Sequence, residues 1–337
     1  MKISLNAIRD VIQLDVGKRG LRADPARNLI NACPGDFADS CRSIAEPAQA
    51  AVAIVTGFYI PTADPPAAET DGPLGALFLA RALTPLGIRV ALLTDSYCKQ
   101  ALAEGLRACN LEKSVQLLAL PGPEGPWETF LVRGWLPFVR ETFRATHLIA
   151  LERVGPSHTE QSVQRQLGDG DALIDFQNEV PEEDRDRCHT MRGVDITAKT
   201  SPLHLLFEVA PAVPGLTTIG IGDGGNEIGM GKIPWDVIRN NIPGGAKVAC
   251  RVATDHLIVA GISNWGAYGL AAGVWPLKGK RPPAGLFDAE RERELLQLMV
   301  ERGPLVDGVT GLRAATIDGL AFELHAKPLE QIAAMFT

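Results

Sequence analysis

Short apolar runs ending in Gly, Asp or Glu alternate along this chain with longer segments of helical period, and that alternation is the strongest constraint on its fold. Strands covered on both faces read as unbroken apolar runs, so the pattern points to parallel strands joined by crossover helices. The run AVAIVTGFYI at 51–60 is the cleanest strand. A loop rich in Pro and Ala follows, and then a helix that opens on Pro73, where a first turn tolerates proline, with Leu74, Leu77, Phe78 and Ala82 on one face. That helix is expected to stop near Thr84 and Pro85. Further strands are expected at 88–95, 115–120 and 147–154, with helices over 97–109 and 127–143 between them. Four such units in about a hundred residues predict an α/β fold of Rossmann-like, doubly wound type: a mostly parallel sheet with helices on both faces.

From Gly155 to Thr200 the pattern gives way to polar sequence, including GDGD and PEEDRDR, with too little apolar content for a core of its own. It is expected to form a polar insertion or lid. Regularity returns with a strand at 216–225 entering a glycine-rich turn, strands at 247–255 and 256–263, a helix of small residues from Asn264, and amphipathic helices at 286–302 and 322–335. The predicted organisation is an N-terminal helical cap (1–50), a first α/β half (51–155), the insertion (156–200) and a second α/β half with C-terminal helices (201–337).

Across 337 residues, Lys and Arg number 33 against 40 Asp and Glu, and 33 − 40 gives −7. That balance repels polyanions and argues against nucleic acid as a partner. No apolar run reaches the roughly eighteen residues of a membrane span, and the opening MKISLNAIRDVIQLDVGKRG lacks the features of a secretory signal. The expectation is a cytoplasmic protein acting on a small molecule, with a homo-oligomer left open. Six cysteines without a C-x-x-C pair read as reduced thiols, and six histidines without H-E-x-x-H or H-x-x-x-H spacing argue against zinc.

GIGDGGNEIGMGK at 220–232 carries the most chemical information. Gly220, Gly222 and Gly225 satisfy G-x-G-x-x-G after a strand, yet Asp223 and Glu227 would set carboxylates beside a dinucleotide's pyrophosphate. A phosphate-binding P-loop is also missed, because Ile233 follows Lys232 where Ser or Thr would hold magnesium. The loop does supply Asp223, Asn226 and Glu227 as oxygen donors on a backbone that turns sharply. An Asx-turn with a helix cap accounts equally well for those residues taken alone.

The other acids favour the cation. Open α/β sheets bind ligands at the carboxyl ends of their strands, and those ends carry Asp64, Glu69, Asp71, Asp95, Glu152, Asp223, Glu227 and Asp255. Carboxylates converging in one crevice must protonate, pair with Arg or Lys, or coordinate a metal, and an oxygen-only donor set suits Mg²⁺ or Mn²⁺. Arg153 and Arg192 are the competing ion-pair partners. Ser263, in GISNWG, lies one residue off the spacing of a nucleophile elbow, and no histidine is placed by sequence to activate it. Trp265 and Tyr268 are expected to pack a helix start on the sheet, with Asn264 as a cap.

The blocks TGFYIP, ETDGPLGA, ALERVG, MRGVDIT, IGDGGNEIGMGK, SNWGAYGL, GVTG and TIDG, in this order, resemble the D-glutamate cyclase-like family. The resemblance runs through most of the chain and is to the C-terminal portion of the cyclase, a lyase that closes D-glutamate to 5-oxo-D-proline with loss of water. It implies a Rossmann-like fold. In the cyclase proper a hydro-lyase-like domain precedes this portion, and residues 1–50 are too short to be one. Pro156 to His189 departs from the family pattern.

With the resemblance in hand, Asp71, Asp223 and Glu227 are the expected metal ligands, Glu152 the general base, Arg192 a clamp on the substrate's α-carboxylate and Asn226 the group orienting the leaving oxygen. The same acids with Mg²⁺ or Mn²⁺ suit a phosphatase acting on small phosphate esters, and a non-catalytic metal- or metabolite-binding subunit would keep the cation cluster alone.

Overall fold

A computed structural model describes residues 3–337. Its centre is a six-stranded, wholly parallel sheet of β1 (Ala51–Thr56), β4 (Arg89–Thr94), β5 (Gln116–Ala119), β6 (His147–Leu151), β7 (Thr217–Gly222) and β8 (His256–Val259). The short β2 (Tyr59–Ile60) and β3 (Ala67–Ala68) form a separate antiparallel hairpin. The sheet order is β5-β4-β1-β6-β7-β8. Counted within the sheet alone this is 3-2-1-4-5-6, the doubly wound Rossmann-like arrangement, in which the chain reverses direction of travel between β1 and β6.

Side chains alternate across the sheet, as a period of two requires. Val52, Ile54, Leu92, Ile149 and Ile221 face one core, and Ala53, Val55, Leu93, Ala150 and Val259 face the other. The first core is closed by the helices Leu5–Ile12, Asp36–Ala45, Pro73–Leu83, Lys99–Ala108, Ser263–Leu277, Ala289–Arg302 and Phe322–Ala334, which supply most of its other buried side chains. Ser263–Leu277 runs through its middle. Gly266 lets that helix lie against β7, because a Cβ there would stand 2.4 Å from Ile221 Cγ2.

The polar stretch after Gly155 contains the helices Glu160–Leu167 and Asp171–Glu179. Val163, Phe176 and Val180 from it are fully buried in the second core, so the segment is sewn to the sheet by a few apolar residues. No helix among the described residues is long and apolar enough to cross a membrane. All six cysteines are free.

Two sequence expectations are corrected. The first strand ends at Thr56, where Gly57 at φ +107° turns the chain out of the sheet, and Tyr59 and Ile60 pair with Ala68 and Ala67 instead. Residues 247–255 are not a strand: a short helix, Gly245–Val248, is followed by irregular chain. The backbone there is satisfied from the side, with Cys250 N donating to Gly225 O at 2.9 Å and Gly229 N to Val252 O at 2.8 Å. An apolar, β-branched run therefore became a brace beside the glycine-rich loop.

Candidate active site

The reversal between β1 and β6 opens a crevice at their carboxyl ends, and the acids collect there. β6 ends at Leu151, and Glu152 follows in the left-handed region at φ +44°, an unusual conformation for a residue with a side chain. Beneath it Gly72, at φ +91°, leaves room that a Cβ would fill, 2.7 Å from Thr56 Oγ1 and 2.8 Å from Glu152 Cβ. Glu152 is buried and its Oε2 accepts a 2.5 Å hydrogen bond from Ser263 Oγ.

Asp71 stands at the start of the helix Ser263–Leu277. Its Oδ2 accepts from Ser263 N at 2.9 Å and its Oδ1 from Asn264 N at 2.8 Å, so two of the helix's free amide donors are taken. Asn264 does not cap its own helix as expected from sequence: its Oδ1 accepts from Gly72 N and Gly75 N at 2.9 and 2.7 Å, serving Pro73–Leu83. Two helix N-termini thus converge on the crevice.

From β7 the chain enters the glycine-rich loop, and Glu227 folds back over it. Oε1 accepts from Asp223 N and Gly224 N at 3.0 and 2.6 Å, and Oε2 from Gly225 N at 2.7 Å. Asn226 donates from Nδ2 to His189 O at 2.7 Å, and its Oδ1 is buried without a hydrogen-bond partner. Asp223 is 1% exposed; its Oδ1 receives Arg19 Nη1 at 2.6 Å, and its Oδ2 is buried and unpartnered.

A further acid is Asp318, from a loop that Asp307 closes by accepting from Thr310 N, Gly319 N and Thr316 Oγ1, each at 2.8 Å. GVTG and TIDG are the two sides of this loop. Asp318 pairs with Arg19 Nη2 at 2.6 Å. Carboxylate oxygens of Asp71, Asp223 and Asp318 lie within 4.8 Å of one another, as do those of Glu152, Asp223 and Glu227. The three ligands expected from sequence therefore fall into two sets that share Asp223, and Asp318 is an acid that sequence reasoning passed over.

Electrostatically the crevice is strained toward protonation. Burial first, then neighbouring carboxylates, raise Glu69, Glu152 and Asp223 well above the usual carboxylate range, Arg19 opposing the shift at Glu69 and Asp223. Asp71 is pushed up to about 8, by burial and by Asp318, against the amides of Asn264 and Ser263. Burial opposes charge on Arg19, and Asp223 and Asp318 outweigh it, so its guanidinium is held more firmly protonated than usual.

Arg153 plays no part in this balance: it is buried on Asp95 at 2.6 Å and on the carbonyls of Gly57 and Ser201. Asp255 is at the opposite end of the sheet, before β8, accepting from Thr218 N and Oγ1. Asp64 is exposed. Asp64, Asp95 and Asp255 thus depart from the crevice expected from sequence. Arg192 is exposed at its mouth, donating from Nη2 to Val309 O at 2.7 Å.

A cavity of about 270 Å³ lies over the acids, with Arg19, Glu69, Glu152, Asp223 and Asp318 on its floor and Phe58, Ile60, Val194 and Val309 among its apolar walls. Its volume lies just below the usual range of small-molecule sites, and apolar walls around a few charged groups match their make-up.

A family model described as "D-glutamate cyclase-like, C-terminal" matches residues 8–166 and 177–333. Among curated proteins, "D-glutamate cyclase, mitochondrial" from Homo sapiens is 27% identical over 354 residues, covering 97% of this chain and 51% of the relative. The chain thus spans about half the length of the curated relative it matches. The family match takes in every strand of the sheet and every acid of the crevice, and the chain belongs to the D-glutamate cyclase-like family.

Proposed function

We propose that this chain is a lyase whose crevice holds a divalent cation and closes D-glutamate to 5-oxo-D-proline with loss of water. The observation that carries the reading is a charge imbalance. Glu69, Asp71, Glu152, Asp223, Glu227 and Asp318 gather at the sheet's reversal point, and Arg19 is their one ion-pair partner among the described residues. Acids so placed protonate or take up cations.

The donors suit a hard cation. All are oxygens, three of them converge from Asp71, Asp223 and Asp318, and Asp223 Oδ2 is a buried acceptor with nothing to accept from. When bound, Mg²⁺ or Mn²⁺ supplies Lewis acidity toward the substrate's γ-carboxylate. Glu227 and Asp71 each accept already from three backbone amides, so Asp223 and Asp318 are the freer donors, and Asp71 joins them because its oxygens converge with theirs.

Lactam closure joins the α-nitrogen to Cδ, the carbon of the γ-carboxylate, and breaks one of that carbon's two bonds to oxygen. The two protons given up by the ammonium are the two that leave on that oxygen as water, so one group that takes a proton and returns it is enough. Glu152 is suited to that shuttle, because burial and the neighbouring carboxylates raise its affinity for a proton and Ser263 Oγ fixes its carboxyl group. Arg192 at the mouth holds the α-carboxylate, and the free Oδ1 of Asn226 orients the departing water.

Incubation of the purified chain with D-glutamate, 5-oxo-D-proline or a panel of sugar phosphates, each with Mn²⁺ or EDTA, tests this. The reading expects interconversion of the first two, abolished by EDTA. Release of phosphate alone would make the chain a phosphatase, and turnover of nothing would make it a binding subunit.

A further inference from the structure

Arg19 occupies an unusual position for a residue of irregular chain. It lies between Leu5–Ile12 and Leu29–Ala32, in a stretch without helix or strand, and it reaches Asp223 and Asp318 with its two terminal nitrogens at 2.6 Å each. Both acids belong to the Asp71, Asp223, Asp318 set, so the guanidinium stands among the oxygens on which the proposed cation depends. Its side chain is 21% exposed, against 2% for that of Asp223, and it lines the cavity, so it has a way out that the acid lacks.

The local chain is built for holding the arginine without embedding it. Its amide is fixed by Asp15 Oδ1 at 2.9 Å, Lys18 before it is in the left-handed region at φ +49°, and Gly20 after it is at φ +95°. A Cβ at Gly20 would stand 2.2 Å from Asn241 O, so the backbone is pinned just beyond Arg19 while its long side chain alone spans the distance to the acids. A side chain can swing from such an anchor without the fold moving. The pairing is also incomplete, since Asp223 Oδ2 has no partner while Arg19 is in place.

We propose that Arg19 is a resident counter-ion that a divalent cation displaces, and that the released guanidinium then receives a carboxylate of the substrate in the same cavity. This rests on the cation-dependent reading above. Two positive charges on one small ion attract the three carboxylates more strongly than a single delocalised charge does, and oxygen coordination uses the acceptor that Arg19 leaves idle. The exchange makes carboxylate binding dependent on the cation: until the ion enters, Arg19 is committed to Asp223 and Asp318. A guanidinium is also the cation best matched to a carboxylate, through two parallel hydrogen bonds.

The test is Mn²⁺ affinity of the full chain, followed by electron paramagnetic resonance, for wild type, Arg19→Gln, Arg19→Lys and Asp223→Asn, with D-glutamate binding followed by calorimetry in parallel. Arg19→Gln is expected to bind Mn²⁺ about tenfold or more tightly than wild type, the scale of one charge-assisted hydrogen bond. The same variant loses D-glutamate affinity, and Asp223→Asn loses Mn²⁺. Arg19→Lys, which keeps the charge and the fold but cannot bridge two carboxylates, falls between wild type and Arg19→Gln in Mn²⁺ affinity, and decides the matter if the glutamine variant does not fold. Mn²⁺ affinity that is equal or weaker in the Arg19 variants overturns the exchange and leaves the cation site standing. Absence of Mn²⁺ binding in wild type and variants alike overturns both.

Discussion

Asp71 and Asn264 cap each other's helices. The Asp71 carboxylate accepts from the first amides of Ser263–Leu277, and the Asn264 carbonyl accepts from Gly72 and Gly75 at the start of Pro73–Leu83. The two helix starts that border the crevice are therefore one unit, and the acid at its centre is held by backbone donors.

Asn264→Ala leaves the buried Gly75 amide without an acceptor and Gly72 N with Asp71 Oδ1 alone, at 3.0 Å. It is expected to destabilise the protein by about 2 kcal/mol, by loss of a cap and of the acceptor of one buried donor. Urea unfolding of the variant against wild type measures this; a change within experimental scatter would show that the reciprocal cap contributes little.

The raised acids make stability depend on pH in a defined direction. An acid whose folded value exceeds its unfolded one binds more protons when folded, so its stabilising contribution is complete below the unfolded value and is lost as pH rises through the folded one. For Asp71 that window runs from 3.8 to about 8, and Glu69, Glu152 and Asp223 shift in the same direction. The Tm of EDTA-treated protein is expected to fall between about pH 5 and 8. Mn²⁺ should raise it, more at pH 8 than at pH 5, because the cation binds the ionised acids. A Tm that climbs over that range without cation would mean that Arg19 alone neutralises the crevice.

Asp318 and Glu227 separate ligand from brace. Asp318→Asn is expected to weaken Mn²⁺ binding by about tenfold or more, with little change in unfolding. Glu227→Gln places an amide group against the donors of Asp223, Gly224 and Gly225, and should cost about 2 kcal/mol of stability while disturbing Mn²⁺ affinity less. Titration and urea unfolding of both variants show whether the two effects divide in this way or reverse.

Far from the crevice, Arg81 pairs with Glu292, whose carboxyl is wholly buried and whose pKa is raised by that burial against the pull of Arg81. Arg81→Met leaves a buried acid unpaired and is expected to destabilise by about 3 to 5 kcal/mol. Mn²⁺ affinity of the folded fraction should not change, and a parallel loss of it would tie the crevice to this distant pair.

The sheet was legible because parallel strands buried on both faces leave continuous apolar runs such as Ala51–Thr56, spaced by segments of helical period. Residues 247–255 misled because β-branched, apolar sequence is required equally of a strand and of a covered brace, and periodicity cannot separate them. Of the crevice, Asp71, Glu152, Asp223 and Glu227 could be found because each follows a strand or stands at a helix start. Arg19 and Asp318 could not. They come from irregular chain near the two ends of the sequence, where neither spacing nor period says what lies beside them, although the TIDG block had marked the loop that carries Asp318.

The most direct measurement is the anomalous difference map of a crystal soaked in Mn²⁺. The account predicts a peak bounded by carboxylate oxygens of Asp71, Asp223 and Asp318, with Arg19 turned out of its ion pairs with the last two. A map without a peak in the crevice, with Arg19 still bridging Asp223 and Asp318 at saturating Mn²⁺, would contradict it.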